Sequence, residues 1–152
     1  MSISNANIAI ARRFLDELWN ERKFEVADEI FSGDFVTHSI SNDPPVWEGK
    51  GPDSMKKHIE HWLLSVPDMR FIAHHLIADD QQVVIHWTAT GTHKGDWMGI
   101  PATGKTLQLL GVTISRVEEG KITQNMTIVD SLGLLQQLEV LPDSATILSQ
   151  AH

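Results

Sequence analysis

The chain contains no cysteine. That absence excludes a disulfide framework, a thiolate nucleophile, a thiolate zinc site and an iron–sulfur cluster. Basic charge is scarce too: 12 Lys and Arg stand against 20 Asp and Glu, a formal net charge of −8. So acidic a chain, with no Lys/Arg run, repels phosphate backbones, and no nucleic-acid partner is expected. No apolar run reaches the ~20 residues of a bilayer span. The polar stretch from Met1 to Asn7 lacks the basic-then-apolar layout of a signal peptide. No membrane partner is expected, and a soluble cytoplasmic protein is the default. Tyrosine is missing, whereas Trp occurs five times; indoles suit both cores and ligand cavities.

The remaining composition is that of a globular chain. Its 152 residues, 41% apolar and 21% charged, make one domain and are too few for two ordinary ones. The expected domain spans 1–152, with a core over about 5–141 and a tail over 142–152. Ser39 to Gly51, with two prolines and two glycines, reads as a linker.

Ile8, Ala11, Leu15, Leu18 and Trp19 recur at helical spacing and predict a helix over Asn5 to Asn20. Glu21 to Phe31 reads as a second helix stopped at Gly33, and Phe35 to Ile40 as a short strand. Gly51-Pro52-Asp53 opens a third helix with Met55, Ile59, Trp62, Leu63 and Val66 on one face, stopped by Pro67. Arg70 to Ala78, Val83 to Lys94, Thr106 to Val117 and Lys121 to Val129 are rich in Val, Ile, Thr and Trp and read as strands. Two of their connections are hairpin-length, so most of the sheet is expected to be antiparallel. A short helix from Leu132 to Leu138 follows. Helices first and strands in a block predict an α+β fold, with helices on one face of a strongly curved antiparallel sheet around an internal cavity.

In the last hairpin, Glu118-Glu119-Gly120 suits a three-residue loop with Val117 facing Lys121. Counting outward, Ile114 faces Gln124, Val112 faces Met126 and Leu110 faces Ile128. Side chains alternate, so Gln124, Met126, Ile128 and Asp130 share one side. Asp130 thus ends an apolar row. A carboxylate among apolar neighbours loses hydration and becomes suited to general acid/base work. The competing reading is a helix N-cap, because Asp130-Ser131 directly precedes Leu132.

His58 and His61 stand at i, i+3 on the third helix, a spacing that can chelate a metal, but no further ligand lies in register. They read as surface or rim residues, and no metal is expected. His74 and His75 are strand neighbours and are expected on opposite faces. His38 and His86 sit among strand residues as candidate hydrogen-bonding groups of a pocket. Trp62, Trp87 and Trp97 are candidates to line a cavity for a flat ligand, with Trp97 as a cover on the Gly95 to Gly104 loop. Gly99 to Thr106 has the letters of a phosphate loop, but strands flank it and no helix follows to receive a phosphate.

Several stretches together resemble the SnoaL-like polyketide cyclase family of the nuclear transport factor 2-like superfamily. They are Val66-Pro-Asp-Met-Arg70, Gly91-Thr-His-Lys-Gly95, Gly99-Ile-Pro-Ala-Thr-Gly-Lys105, Gly120-Lys-Ile122, Asp130-Ser-Leu-Gly133 and Gln136-Gln-Leu138. The resemblance runs from about Ile8 to about Leu141. It implies three N-terminal helices over the sheet and a deep, cone-shaped apolar pocket. It further implies an intramolecular aldol ring closure on aromatic polyketide esters with no cofactor. Asp130 matches the family's catalytic aspartate, with His38 and His86 as supporting donors. Trp62, Trp87, Trp97, Met126, Ile128, Val112 and Phe14 are the implied substrate-binding set. The family often has His-Trp where this chain has Asn125-Met126, which points to a reshaped pocket.

The rivals are a related pocket enzyme, such as an isomerase or epoxide hydrolase, and a non-catalytic binder of a small apolar or aromatic ligand. A homodimer is expected, because Val83-Val84-Ile85 is apolar on both faces of its strand.

Overall fold

Ser2 caps the first helix: its hydroxyl accepts the Asn5 amide at 3.1 Å. The computed structural model describes residues 1–40 and 48–151. Most of the linker expected between Ser39 and Gly51 lies outside the described residues. Helix α1 (Ile3–Arg13) runs into a π-helical segment, Phe14–Asn20. The expected helix over Asn5 to Asn20 is thus two conformations in series. The wider turn turns Phe14, Leu15, Leu18 and Trp19 into the core, spaced by four to five residues as i→i+5 bonding permits.

Helix α2 (Val26–Ile30) is shorter than the expected Glu21 to Phe31. Arg22 takes a left-handed φ of 60°, and from Phe31 the backbone is drawn into strand β1 (Phe31–Ser39). Tertiary pairing overrides local propensity there. Strand β2 (Gly49–Lys50) is short. Helix α3 (Pro52–Ser65) starts with proline in its first turn and ends before Pro67, as read from the sequence. Strands β3 (Arg70–Ala78), β4 (Gln82–Thr92), β5 (Thr106–Glu118) and β6 (Lys121–Val129) follow, then α4 (Ser131–Gln137) and α5 (Ser144–Gln150). The segment expected as a tail over 142–152 holds a helix, which Asp143 caps by accepting the Thr146 amide at 2.8 Å.

The six strands form one open sheet in the order β2-β1-β6-β5-β4-β3. It is mixed, not antiparallel throughout: β1 runs parallel to β6. The last hairpin also departs from expectation. Glu118 pairs with Lys121 across a two-residue turn, Glu119-Gly120, whose φ angles are 50° and 75°. An irregularity beyond Val117 then shifts the register once more, so Ile114 faces Met126 and Val112 faces Ile128. The net shift is two residues from the expected pairing. Because the side-chain period is also two, every residue keeps its expected companions on its face.

One face of the sheet is buried. Val83, Ile85, Trp87 and Ala89 of β4 and Leu107, Leu109 and Val117 of β5 join Phe14, Leu18, Trp19, Met55 and Ile59 in the core. Trp87 packs against Phe71 with ring centroids 4.9 Å apart, and Phe71 against Trp19 at 4.5 Å. The Trp87 ring lies over Gly111, where an added Cβ would meet Cζ2 at 2.2 Å. Glycine is required there by close approach, since that ring is rigid and buried. Gly111→Ala is expected to lower stability by about 1–3 kcal/mol through overpacking. Urea denaturation measures this, and an unchanged midpoint would contradict the packing.

Candidate active site

Two residues per period decide which groups meet in the core. On β5 and β6 the helix-covered side presents Thr113, Ser115, Asn125 and Thr127, not the apolar row. Trp87 Nε1 donates to Thr113 Oγ1 at 3.0 Å, and Thr113 Oγ1 lies 3.0 Å from Thr127 Oγ1. Ser115 Oγ donates to Asn125 Oδ1 at 2.6 Å. Ser115 and Asn125 are fully buried. Paired in this way, the array carries little of the penalty of buried polar groups. It combines hydroxyl, amide and indole groups and holds no formal charge.

The apolar row lies on the opposite face. Leu110 and Ile128 are exposed, with Val112 and Met126 half-buried beside them. The companions were read correctly, but they face away from the helices. Asp130 is on this side as well, exposed to solvent. Its Oδ1 accepts the Gly133 amide at 2.8 Å and caps α4. A Cβ at Gly133 would approach Asp130 Oδ2 to 2.2 Å, so glycine leaves room for the cap. The capping alternative describes the observed geometry. The apolar enclosure from which the acid/base reading started is not there.

His38 pairs with Met126 in the parallel ladder and so faces outward too. His86 is exposed on the same side. The expected division of His74 and His75 between faces does not occur. A bulge at His74 breaks the alternation, and both rings reach His86, at centroid distances of 5.2 and 5.3 Å. The candidate set thus splits: Phe14, Trp62, Trp87 and Trp97 belong to the helix-covered side, whereas Asp130, His38, His86, Met126, Ile128 and Val112 belong to the other.

An apolar cavity of about 10 Å³ sits on the helix-covered side, lined by Trp62, Val66, Met69, Leu107, Leu109 and Leu134, with the β4 backbone at Gly91. Such a volume holds about one water. The cavity is far smaller than the deep pocket expected from the sequence. Trp62 stacks on Trp97 at 5.9 Å, which places the Gly95 to Gly104 loop against α3. That loop joins β4 to β5, so strands do flank the phosphate-loop letters.

His93 was not among the sequence candidates, although it lies within Gly91-Thr-His-Lys-Gly95. It continues the inward alternation of Trp87, Ala89 and Gly91 and is fully buried. Its Nδ1 accepts the Thr103 amide at 3.3 Å and lies 3.0 Å from Thr103 Oγ1. That assigns the proton to Nε2, which has no hydrogen-bond partner among the described residues. Counting in twos from Trp87 would have found it.

His61 is exposed, whereas His58 is half-buried. Burial, and secondarily the neighbouring His61, pushes its pKa down to about 4, and its ring stands edge-on to Trp19 at 6.2 Å. Among the described residues no group of three or more His, Asp or Glu side chains could hold a metal ion. An unfolded imidazole titrates near 6.5, so as pH falls the unfolded chain takes the proton first. Stability is therefore lost between about pH 6.5 and 4, by roughly 2 kcal/mol. Urea denaturation at pH 7.5 and 4.5 should show this extra loss in the wild type and not in His58→Gln. Equal losses would contradict it.

The SnoaL-like polyketide cyclase family profile matches residues 9–138. Among solved structures, a candidate polyketide cyclase from Acidithiobacillus ferrooxidans is 33% identical, with a TM-score of 0.78 over 92% of this chain and 99% of that one. AclR, a candidate hydroxylase from Streptomyces galilaeus, is 26% identical, with a TM-score of 0.79 over 95% and 91%. A candidate SnoaL-like polyketide cyclase from Jannaschia sp. CCS1 shares the fold at 19% identity, with a TM-score of 0.81 over 93% and 97%. No match was found among curated proteins.

Proposed function

Because the chain belongs to the SnoaL-like polyketide cyclase family, we propose that it is a cyclase-type enzyme acting on an apolar, polyketide-like substrate held between the sheet and the helices. The observation that carries this reading is the apolar cavity on that side. Its wall runs along β5 from Leu107 and Leu109 toward the hydroxyl of Thr113, which meets Trp87 and Thr127.

In the proposed reaction a base removes a proton from a carbon activated by the substrate's own carbonyls. That carbon bonds to a second carbonyl carbon of the same molecule, and the oxygen takes up a proton. The atoms of the substrate are conserved and no cofactor is consumed. Much of the barrier is the entropy of bringing two ends together, which a shaped enclosure lowers. Ligand sites enclose ~300–1,000 Å³, so substrate entry requires the Trp62–Trp97 stack to part or α4 to shift. Neutral donors such as His93 Nε2–H then meet the developing oxyanion.

Within this reading Asp130 is a positioning residue. It holds the start of α4, and α4 supplies Leu134 to the cavity wall. The general acid/base role keeps one support, the motif match from Asp130 to Leu138. Non-catalytic binding of a small apolar or aromatic ligand is a second reading, favoured because no Asp or Glu is buried among the described residues. Isomerase or epoxide hydrolase chemistry resting on a carboxylate meets the same objection. A cytoplasmic homodimer without a nucleic-acid partner completes the proposal; among the described residues no helix is long and apolar enough to cross a membrane.

The test is ring closure of an aromatic polyketide methyl ester bearing an activated methylene and a ketone in reach, followed by chromatography because the mass does not change. Wild type should convert it. Asp130→Asn, which retains a good cap, should keep activity within about threefold and stability within a few tenths of a kcal/mol, whereas Asp130→Ala should lose about 1 kcal/mol of stability. A hundredfold loss of turnover in a stable Asp130→Asn would restore the acid/base role. Tight binding with no turnover by wild type would leave the binder.

A further inference from the structure

The exposed face of the sheet is ordered in rows that cross the strands. Ile77, Val84, Ile114, Met126 and His38 are successive partners over five strands. The next row is His75, His86, Val112 and Ile128, and the next Ile72, Thr88 and Leu110. Ile72, Ile77, Leu110 and Ile128 are 52%, 66%, 44% and 42% exposed. Polar rows frame the apolar ones: Gln82, Arg116 and Gln124 on one side, Arg70, Thr90 and Gln108 on the other. An apolar centre with a polar frame is how an interface is built.

Three features point to a second copy of this chain as the occupant. With strands ~4.8 Å apart and rows ~7 Å apart, the rows together with their frame cover on the order of 600 Å², the share one partner contributes at the lower end of specific interfaces. A face used by two identical copies needs only to match itself. The chain carries −8, yet the three apolar rows hold a single carboxylate, Asp130, which sits beside Leu110 at the end of the third row with its amide on the Leu110 carbonyl at 2.9 Å, and Glu118 pairs with Arg116 at 2.9 Å in the frame. Two acidic molecules meet there with least repulsion.

Set into this face are three imidazoles. The β3 bulge brings His74 and His75 to the same side, with His74 Nε2 2.7 Å from Thr88 Oγ1 and His75 Nδ1 3.0 Å from His86 Nδ1. The His75 and His86 rings stack within 9° of parallel. A hydrogen bond between two ring nitrogens needs one donor and one acceptor, so at least one of the pair is neutral. Among the described residues, the other ionisable groups on the face are His38 at the end of its row, Lys50 beyond Gln124 and Val36 in the frame row, the frame arginines Arg70 and Arg116, Glu118 and Asp130. Among the described residues no carboxylate is placed to neutralise a second proton on the pair.

Resting on the homodimer reading, we propose that the His74–His75–His86 cluster makes the dimer pH-sensitive: two copies join through this face near neutral pH and separate as the cluster becomes fully protonated. Imidazole changes charge between about pH 5 and 8. Burial in the joined face opposes the charged form, so the dimer binds fewer protons than two free copies. Falling pH therefore favours the free copies, with at least one proton taken up per copy.

Sedimentation velocity at pH 7.5 and pH 5.0 tests this. The wild type should be dimeric at micromolar concentration at pH 7.5, and its dissociation constant should rise at least ~100-fold at pH 5.0. The His74→Gln/His75→Gln/His86→Gln variant should be dimeric at both values. A wild type that is monomeric at pH 7.5 overturns the homodimer and the switch with it. A wild-type dimer equally tight at pH 5.0 overturns the switch alone, as does a triple variant that still dissociates. Because His58 weakens the fold over the same range, far-UV circular dichroism accompanies each run; dissociation accompanied by loss of helix assigns the effect to unfolding and also overturns the switch.

Discussion

The two-residue period of side-chain direction across β4, β5 and β6 governs the rest of the structure. It sends Trp87, Thr113 and Thr127 beneath the helices and Val112, Ile128 and His86 away from them. Register errors of two leave this division intact, and a single inserted residue reverses it locally. The chain uses such an insertion at His74, where two neighbouring histidines emerge on one face.

The two faces are energetically unlike. The covered one combines aromatic packing with polar groups that mostly satisfy each other, Trp87 with Thr113 and Ser115 with Asn125. His93 Nε2–H stands apart from that balance, and an unsatisfied buried donor costs about 1–3 kcal/mol. A ligand oxygen that met it would recover part of that cost, which gives the interior a reason to bind something polar at one point and apolar elsewhere. The outer face has the opposite defect, apolar rows left in water, which the proposed association would relieve.

Much of the architecture was legible in the sequence. Proline at both ends of α3 and the Val/Ile/Thr-rich strands announced themselves, because local chemistry determines them. The α2–β1 boundary did not, since Phe31 is claimed by a strand nearly a hundred residues away. The π-helical turn was equally hidden behind an ordinary helical spacing. For the site, the companions of Asp130 were right and their side of the sheet was wrong. The usual inference sends the more apolar face of a strand inward. Here Leu110, Val112, Ile114, Met126 and Ile128 are more apolar than Gly111, Thr113, Ser115, Asn125 and Thr127, yet the second set is inside. A sequence with two apolar destinations, a core and an outer face, does not reveal by hydrophobicity alone which is which.

The account stands on the covered face being the ligand face. Methyl-resolved NMR during titration with 2-naphthol, a flat aromatic probe with one hydroxyl, tests it most directly. The account predicts that the methyl signals of Leu107, Leu109 and Leu134 move with the probe while those of Ile72, Ile77 and Ile128 stay in place. Movement of the second set with the first unchanged would contradict it.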